Sequence, residues 1–415
     1  MKRRTKIRLA ALLLLLSTLL LRASACSELT NVSPEELSRY IQTNPEALPA
    51  DDLFRKAALD FGAELLRRTA GEKNTLLSPV SVMTALAMTA NGARENTLTQ
   101  MERTLGMPVS ELNKYLYGSS KSVSGDKYRL DAANSIWIHE TEYLGVNKEF
   151  LQVNADWYGA AVNKAAFDEK TLKDINDWVN KKTDGMIPTI LDEISPGAMM
   201  YLINAIAFDA EWQEPYEAYQ VHNGAFTRED GSEQQVELMY SDEHTYLALD
   251  NGKGLMKPYA GGRYAFAALL PDEGVSMKDF LASLSGEKLL RAFAEKSSEK
   301  VLAAIPKFKV EYGTELSRVL SDMGMADAFG GGADFSGIKG VPGDIYISRV
   351  LHKTYMELDT QGTKAAAVTS VEMKAGAALD PNPPKEVYLN RPFVYMIVDC
   401  DSGVPVFWGV MYSIG

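Results

Sequence analysis

A single mixed α+β domain is the fold class this chain predicts, and three observations point to it. Its 415 residues are 46% hydrophobic and 24% charged, globular proportions that exclude a collagenous or wholly disordered protein. Helical periodicity comes early and strand-like runs follow, without the regular strand–helix alternation of a parallel sheet. No internal repeat divides the length.

Residues 1–25 read as an export signal. Lys2, Arg3, Arg4, Lys6, Arg8 and Arg22 are its charges, with no acid among them, and residues 9–21 (LAALLLLLSTLLL) form an apolar run. That run suits a signal-peptide core and is short for a membrane span. Ala23-Ser24-Ala25 is a small-x-small cleavage pattern, and Cys26 follows it directly, as in a bacterial lipobox. Both readings cut the same bond, so the mature chain is expected to be either a lipoprotein anchored through Cys26 or a secreted protein. The formal charge is −12, and losing the six leader cations takes it to −18. A polyanion of that size is repelled by phosphate backbones and anionic lipid heads, which argues against nucleic-acid binding.

Residues 26–50 are polar and carry Pro34, Pro45 and Pro49, the composition of a tether. Residues 51–415 form the domain. Helical spacing begins near Leu53 and runs through Phe61, Leu65 and Leu66; further helices are expected at SVMTALAMTANGA and DINDWVNKKT. Strands are expected at 132–138, 199–208, 264–271 and 301–310, then in FVYMIVD and VPVFWGVMY near the end. The second cysteine, Cys400, closes the apolar run FVYMIVDC and reads as a buried strand thiol.

Catalytic chemistry finds no support. His139, His222, His244 and His352 form no HExxH pair and no metal-ligand spacing, so no metal or cofactor is expected. The sequence has no GxSxG elbow, Walker loop or GxGxxG fingerprint. Asp401-Ser402-Gly403 reads as a turn between the last two strands rather than a nucleophile segment.

The segment 362–374, GTKAAAVTSVEMK, is the most informative. Taken with period two, Thr363, Ala365, Ala367, Thr369, Val371 and Met373 form a small or apolar face; Lys364, Ala366, Val368, Ser370, Glu372 and Lys374 form the other. The next residues, AGAALDPNPPKE, look like an exposed loop. An edge strand running into a turn would give this pattern. So would a loop that is exposed in one state and a strand in another.

From about residue 53 onward the chain resembles the serpins. LLSPVSVMTALAMTANGARENTLTQM, INDWVNKKTDGMIPTIL, LINAIAFDAEW, VLAAIPKFKVEYGTELSRVLSDMGMADAF, ADFSGI, HKTYMELDTQGTKAAAVTS and LNRPFVYMI match family segments in the family's order. The resemblance implies one domain of about eight or nine helices and three β-sheets, with a reactive-site loop at about 361–388. It is to a bacterial, secreted or lipoprotein-type, inhibitory member. Such proteins offer the loop as bait to a serine protease and, once cleaved, insert it into the central sheet with the protease covalently attached. The implied roles are a hinge from Gly362 and Thr363 through Lys364, Ala365, Ala366, Ala367, Val368 and Thr369, and a reactive bond at Gly376–Ala377. Ala375, Ala378 and Leu379 are neighbouring candidates suited to elastase-like or subtilisin-like proteases, and Lys374 would suit a trypsin-like one. Ser78, Ser81, Asn204 and His352 resemble a polar cluster controlling sheet opening, with Trp212 at the sheet top. A monomer is expected.

A loop segment of about 15 residues spans roughly 50 Å as a strand, and at about 1 kcal/mol net per hydrogen bond its insertion would release on the order of 15 kcal/mol. Its small inward residues and lack of proline or inward charge allow this, where non-inhibitory relatives fail. Two positions depart from the family: Thr360 replaces a common acid that pairs with a base at the sheet top, and Lys364 replaces a common Glu. The loop is also about five residues longer than is typical. These features leave an alternative, a binding or surface protein of the same fold that proteases cleave only as a substrate.

Overall fold

The computed structural model describes residue 43 and residues 45–120, 125–143, 145–159, 161–363 and 383–414. Cys26, Lys364 to Thr369 and the candidate bait residues Lys374 to Leu379 lie outside the described residues. The described part has eight α-helices of seven residues or more, two single helical turns and three β-sheets.

The first helix, α1 (Asp52–Thr69), starts where Asp51 accepts a hydrogen bond from the Phe54 amide, satisfying a free N–H of the first turn. It buries Phe54, Phe61, Leu65 and Leu66. A short strand, β1 (Thr75–Leu77), leads into α2 (Pro79–Ala90). There Ser78 caps the helix and Pro79 takes its first turn, where a missing N–H costs nothing. Ten of the twelve α2 residues are buried, so α2 is a core helix rather than an amphipathic surface one. Two helices, α3 (Glu95–Leu105) and α4 (Val109–Ser120), follow.

The main sheet begins with β2 (Tyr128–His139) and continues through the turn α5 (Glu140–Tyr143), α6 (Lys148–Tyr158), β3 (Ala161–Ala165), α7 (Glu169–Lys182) and β4 (Met200–Glu211). A four-stranded sheet contains β5 (Val221–Thr227) and β6 (Glu233–Glu243). Strands β7 (Tyr246–Leu249), β8 (Gly252–Pro258) and β9 (Tyr264–Pro271) belong to a second six-stranded sheet, followed by α8 (Met277–Ser283) and α9 (Gly286–Ala294). Then come β10 (Val301–Pro306), β11 (Phe308–Glu315), the turn α10 (Ser317–Leu320), β12 (Arg349–Leu358), β13 (Gly362–Thr363), β14 (Lys385–Tyr388), β15 (Phe393–Asp399) and β16 (Val404–Met411).

Strand order in the main sheet is β11-β12-β13-β4-β2-β3. The second sheet runs β1-β16-β15-β9-β8-β7 and the third β14-β10-β6-β5. The fold class matches the one expected from sequence. The run 301–310 differs, because it is two strands in different sheets: β10 pairs with β6 and β14, and β11 pairs with β12. Pro306, which has no N–H to donate, ends the first, and Lys307 is spent on the Glu237 carbonyl at 3.1 Å. Cys400 also differs. It is exposed rather than buried, because β15 ends at Asp399 and Cys400 opens the turn to β16. Ser402 sits in that turn, its carbonyl accepting from Arg55 Nε at 2.7 Å.

The main sheet is covered on both faces. One face meets α2 and the second sheet; the other carries α7, whose Ile175 and Val179 pack with Ala133 and Trp137 of β2, Tyr201, Ile203 and Ala205 of β4, and Leu351 of β12. Within this sheet runs the line along which β4 and β12 pair.

Candidate functional site

That line is the seam on which the site is built. Strands β4 and β12 are parallel neighbours over seven paired positions, from Tyr201↔Arg349 to Ala207↔Tyr355. Beyond them the strands part, and β13 enters between them. Gly362 pairs with Glu211, and Thr363 pairs with Ala210 on one side and Leu358 on the other. The chain after residue 358 has thus turned back and begun a new strand, antiparallel to both neighbours.

The turn is tightly fixed. Asp359 Oδ1 accepts from the amides of Gln361 (2.8 Å) and Gly362 (3.2 Å), and the Asp359 amide donates to the Gly362 carbonyl at 2.8 Å. The Trp212 indole donates to the Asp359 carbonyl at 2.9 Å, while the amides of Trp212 and Tyr216 donate to the carbonyls of Gln361 and Thr360, each at 2.8 Å. Trp212 stacks on Tyr259 with ring centroids 4.4 Å apart. Tyr259 in turn shares a 2.7 Å hydrogen bond with the fully buried Thr363 hydroxyl. Beneath these rings Lys257 and Glu243 form a buried ion pair at 2.9 Å, the ammonium lying 4.4 Å from the Tyr216 ring centroid. The backbone at Thr360 is therefore bound without an acidic side chain at that position.

Gly362 can be nothing larger. Its φ is +156°, and a Cβ there would stand 2.0 Å from the Ala210 carbonyl oxygen. Gly362→Ala should expel β13 from the seam and lower local stability by about 1–3 kcal/mol. Faster exchange of the Thr363 amide would show it, and unchanged exchange would refute it.

Seven residues below, a polar cluster bridges the seam. His352 and Asn204 are register partners across it. The Ser78 amide donates to His352 Nε2 at 3.0 Å, so Nε2 holds a lone pair and the proton is on Nδ1, which donates to Asn204 Oδ1. Asn204 Nδ2 then donates to Ser81 Oγ at 2.5 Å and to Asn134 Oδ1, and the Ser81 hydroxyl donates to Asn134 Oδ1 at 3.2 Å. Ser78 Oγ accepts from the Ser81 amide at 3.4 Å. All donors and acceptors run one way, which is how a buried network becomes fully satisfied. Burial pushes His352 down to about 3, against a smaller opposing effect from Asn204. It is therefore neutral at physiological pH. Two β-strands lie about 4.8 Å apart, so a strand placed between β4 and β12 would separate His352 from Asn204 and break this chain.

The structure thus brings Ser78, Ser81, Asn204 and His352 into one cluster, and places Trp212 with Gly362 and Thr363 at the sheet top. Asn134 and Tyr259 join them without having been singled out in the sequence. Among the described residues, no group of three or more His, Cys, Asp or Glu could hold a metal.

Residues 56–414 match the family model described as serpin, serine protease inhibitor. The chain is a serpin. Its relatives include an uncharacterized serpin-like protein of Thermococcus kodakarensis, 33% identical over 85% of this chain and 84% of its own. Human serpin B9 is 32% identical over 78% of this chain and 89% of its own. Among solved structures, the thermophilic serpin tengpin in its native state is 43% identical, with a TM-score of 0.86 over 91% of this chain and 99% of that one. Tengpin in its latent state has a TM-score of 0.76 over 90% of this chain. The conformation described here is therefore nearer the native arrangement of that serpin.

Proposed function

We propose that this serpin is an irreversible, suicide-type inhibitor of serine proteases with elastase-like or subtilisin-like specificity. Cleavage of its loop at Gly376–Ala377 would release the hinge to enter the seam as a full strand. The observation that carries this reading is β13, a strand already begun there in defined register.

Carried onward, that register sets Ala365 between Phe208 and Met356, Ala367 between Ile206 and Thr354, and Thr369 between Asn204 and His352. Met373 reaches Met200, the first residue of β4. Inward positions are therefore small where the neighbours are large, and the hydroxyl of Thr369 arrives at the polar cluster whose direct contact it interrupts. Lys364 falls on the opposite face from buried Thr363. The insertion replaces one parallel pairing by two antiparallel ones, a gain in ladder bonds and in pairing type. Residues 362–373 fill the length of β4, so the bait bond must follow Met373. Gly376–Ala377 does so by three residues; Lys374–Ala375 is the alternative for a trypsin-like protease.

The deciding experiment is incubation with an elastase, with subtilisin and with trypsin, followed by a denaturing gel and mass mapping of the released C-terminal peptide. A denaturant-resistant species of summed mass supports the inhibitor reading, and the peptide names the bond. Clean cleavage by all three with no such species rejects it. The second reading, a binding protein cleaved only as substrate, draws on fold likeness: thyroxine-binding globulin, crystallized with thyroxine, is 25% identical with a TM-score of 0.78.

The site of action follows from the leader. Export followed by anchoring through Cys26 would display the inhibitor at a membrane surface, while plain export would secrete it. Cys26→Ser is expected to release the protein from membranes, and continued sedimentation with membranes would count against lipidation.

A further inference from the structure

The foot of the seam is held by a side chain. Strand β4 begins at Met200 and β12 at Arg349, and the residues just outside them, Met199 and Ser348, carry the tie. The Ser348 amide donates to the Met200 carbonyl at 2.9 Å, which continues the ladder of the two strands. Its Oγ accepts from the Met199 amide, also at 2.9 Å, and lies 3.5 Å from the Met200 amide. The Met199 carbonyl accepts from the amide of His139, the last residue of β2, at 2.9 Å. Met199 is thus fastened on both sides, to β2 by a backbone bond and across the seam by a hydroxyl.

The register of β13 leads to this point. Thr363 faces Leu358 on one side and Ala210 on the other. In an antiparallel strand ten residues onward lie opposite ten residues back, which sets Met373 between Ser348 and Met200. Four rungs earlier, Thr369 passes between His352 and Asn204. Neighbouring strands lie about 4.8 Å apart, so a strand seated at the last rung doubles the separation of β4 and β12 there. The 2.9 Å bond from the Met199 amide to Ser348 Oγ cannot span that gap. The broken ladder bond is remade with the incoming backbone; the hydroxyl is left behind.

We infer that the Ser348 hydroxyl is a latch at the foot of the seam, opened by the last rung of an inserting strand and by no earlier one. The rungs above, the polar cluster included, can fill while the latch stays closed. Drawing in the residues next to the bait bond requires it to break. Ser348 is therefore a positioning residue for the final step of insertion, acting through Met199 and separate from the bridge between His352 and Asn204. The consequence for protease trapping rests on the inhibitor reading above; the latch itself does not.

The test uses the full-length chain and two synthetic peptides with the hinge sequence. The short one, residues 364–370, passes the rung of His352 and Asn204 and stops above the foot; the long one, residues 364–374, reaches past Ser348. Ser348→Ala should speed annealing of the long peptide about fivefold, the scale of one neutral hydrogen bond, and leave the short one unchanged. Hydrogen exchange of the Met199 amide should quicken by a similar factor. Ser348→Thr keeps a hydroxyl and should restore wild-type behaviour in both measurements. With a protease that the wild type traps, Ser348→Ala should leave less inhibitor cleaved but uncomplexed. Equal acceleration of both peptides would make Ser348 a general stabiliser of the sheet and overturn the latch, as would unchanged Met199 exchange. Failure of both peptides to anneal to the wild type would remove the register on which the inference stands. Unchanged long-peptide annealing with normal trapping would sink this inference alone; the selective effect in a protein that traps nothing would sink the inhibitor reading alone.

Discussion

Thr363→Arg should convert the inhibitor into a substrate. Thr363 is fully buried between Ala210 and Leu358, with its hydroxyl on Tyr259. Glu243, a buried acid of this region, is already held by Lys257. A buried charge without a partner costs several kcal/mol. The charge therefore expels β13 before cleavage and must be buried again when the strand enters; a barrier raised in this way by about 3–4 kcal/mol slows insertion several hundredfold, so the acylated protease would hydrolyse free long before it was trapped. Ala365→Arg, two residues on and on the same face, should act the same way. In both variants the bait bond should be cut at the wild-type rate, while the denaturant-resistant complex falls below about 1% of protease. If the complex persists in both, the inward face has been assigned wrongly and the hinge does not enter in the register of β13.

Much of this arrangement was readable in the chain. The alternation of small residues after Gly362 marks a segment able to become a strand, and the period-two reading puts Thr363 on the inward side, where it is buried. Ser78, Ser81, Asn204 and His352 could be grouped by resemblance, but their direction of hydrogen bonding could not, because it depends on which His352 nitrogen faces the Ser78 amide. Asn134 was missed although a signal existed. In AANSIWI it shares its face with Ile136 and Ile138, both fully buried, and a lone amide on an apolar face asks for a partner. Tyr259 gave no such signal, since its partner lies 104 residues away. The split at Lys307 and the exposure of Cys400 were obscured by mostly apolar runs, in which composition resembles one strand while a proline or a turn divides it.

Acid should weaken the seam through His352. Its folded-state value is held down to about 3 by burial, against about 6.5 for an exposed imidazole. The stabilisation from keeping it neutral is complete above pH 6.5. Below that, the unfolded chain binds a proton the folded chain refuses, so stability is lost progressively down to about pH 3. One such proton is worth about 1.4 kcal/mol per pH unit, or about 3 kcal/mol by pH 4. His352→Gln removes the titration while keeping a side chain able to accept from the Ser78 amide. Urea-unfolding midpoints of the two proteins should therefore converge as the pH falls, with the wild type losing the extra 3 kcal/mol between pH 6.5 and 4. Curves that stay parallel would mean that His352 is already solvated or charged in the folded protein. The same protonation would also act on the seam directly. An imidazolium cannot accept from Ser78, so the chain of bonds from Ser78 through Asn204 to Asn134 loses its first link, and α2 loses its direct tie to β12. Exchange of the amides of β4 and β12 should then rise as the pH approaches about 3 in the wild type and not in His352→Gln, which separates a weakening at this seam from general acid unfolding.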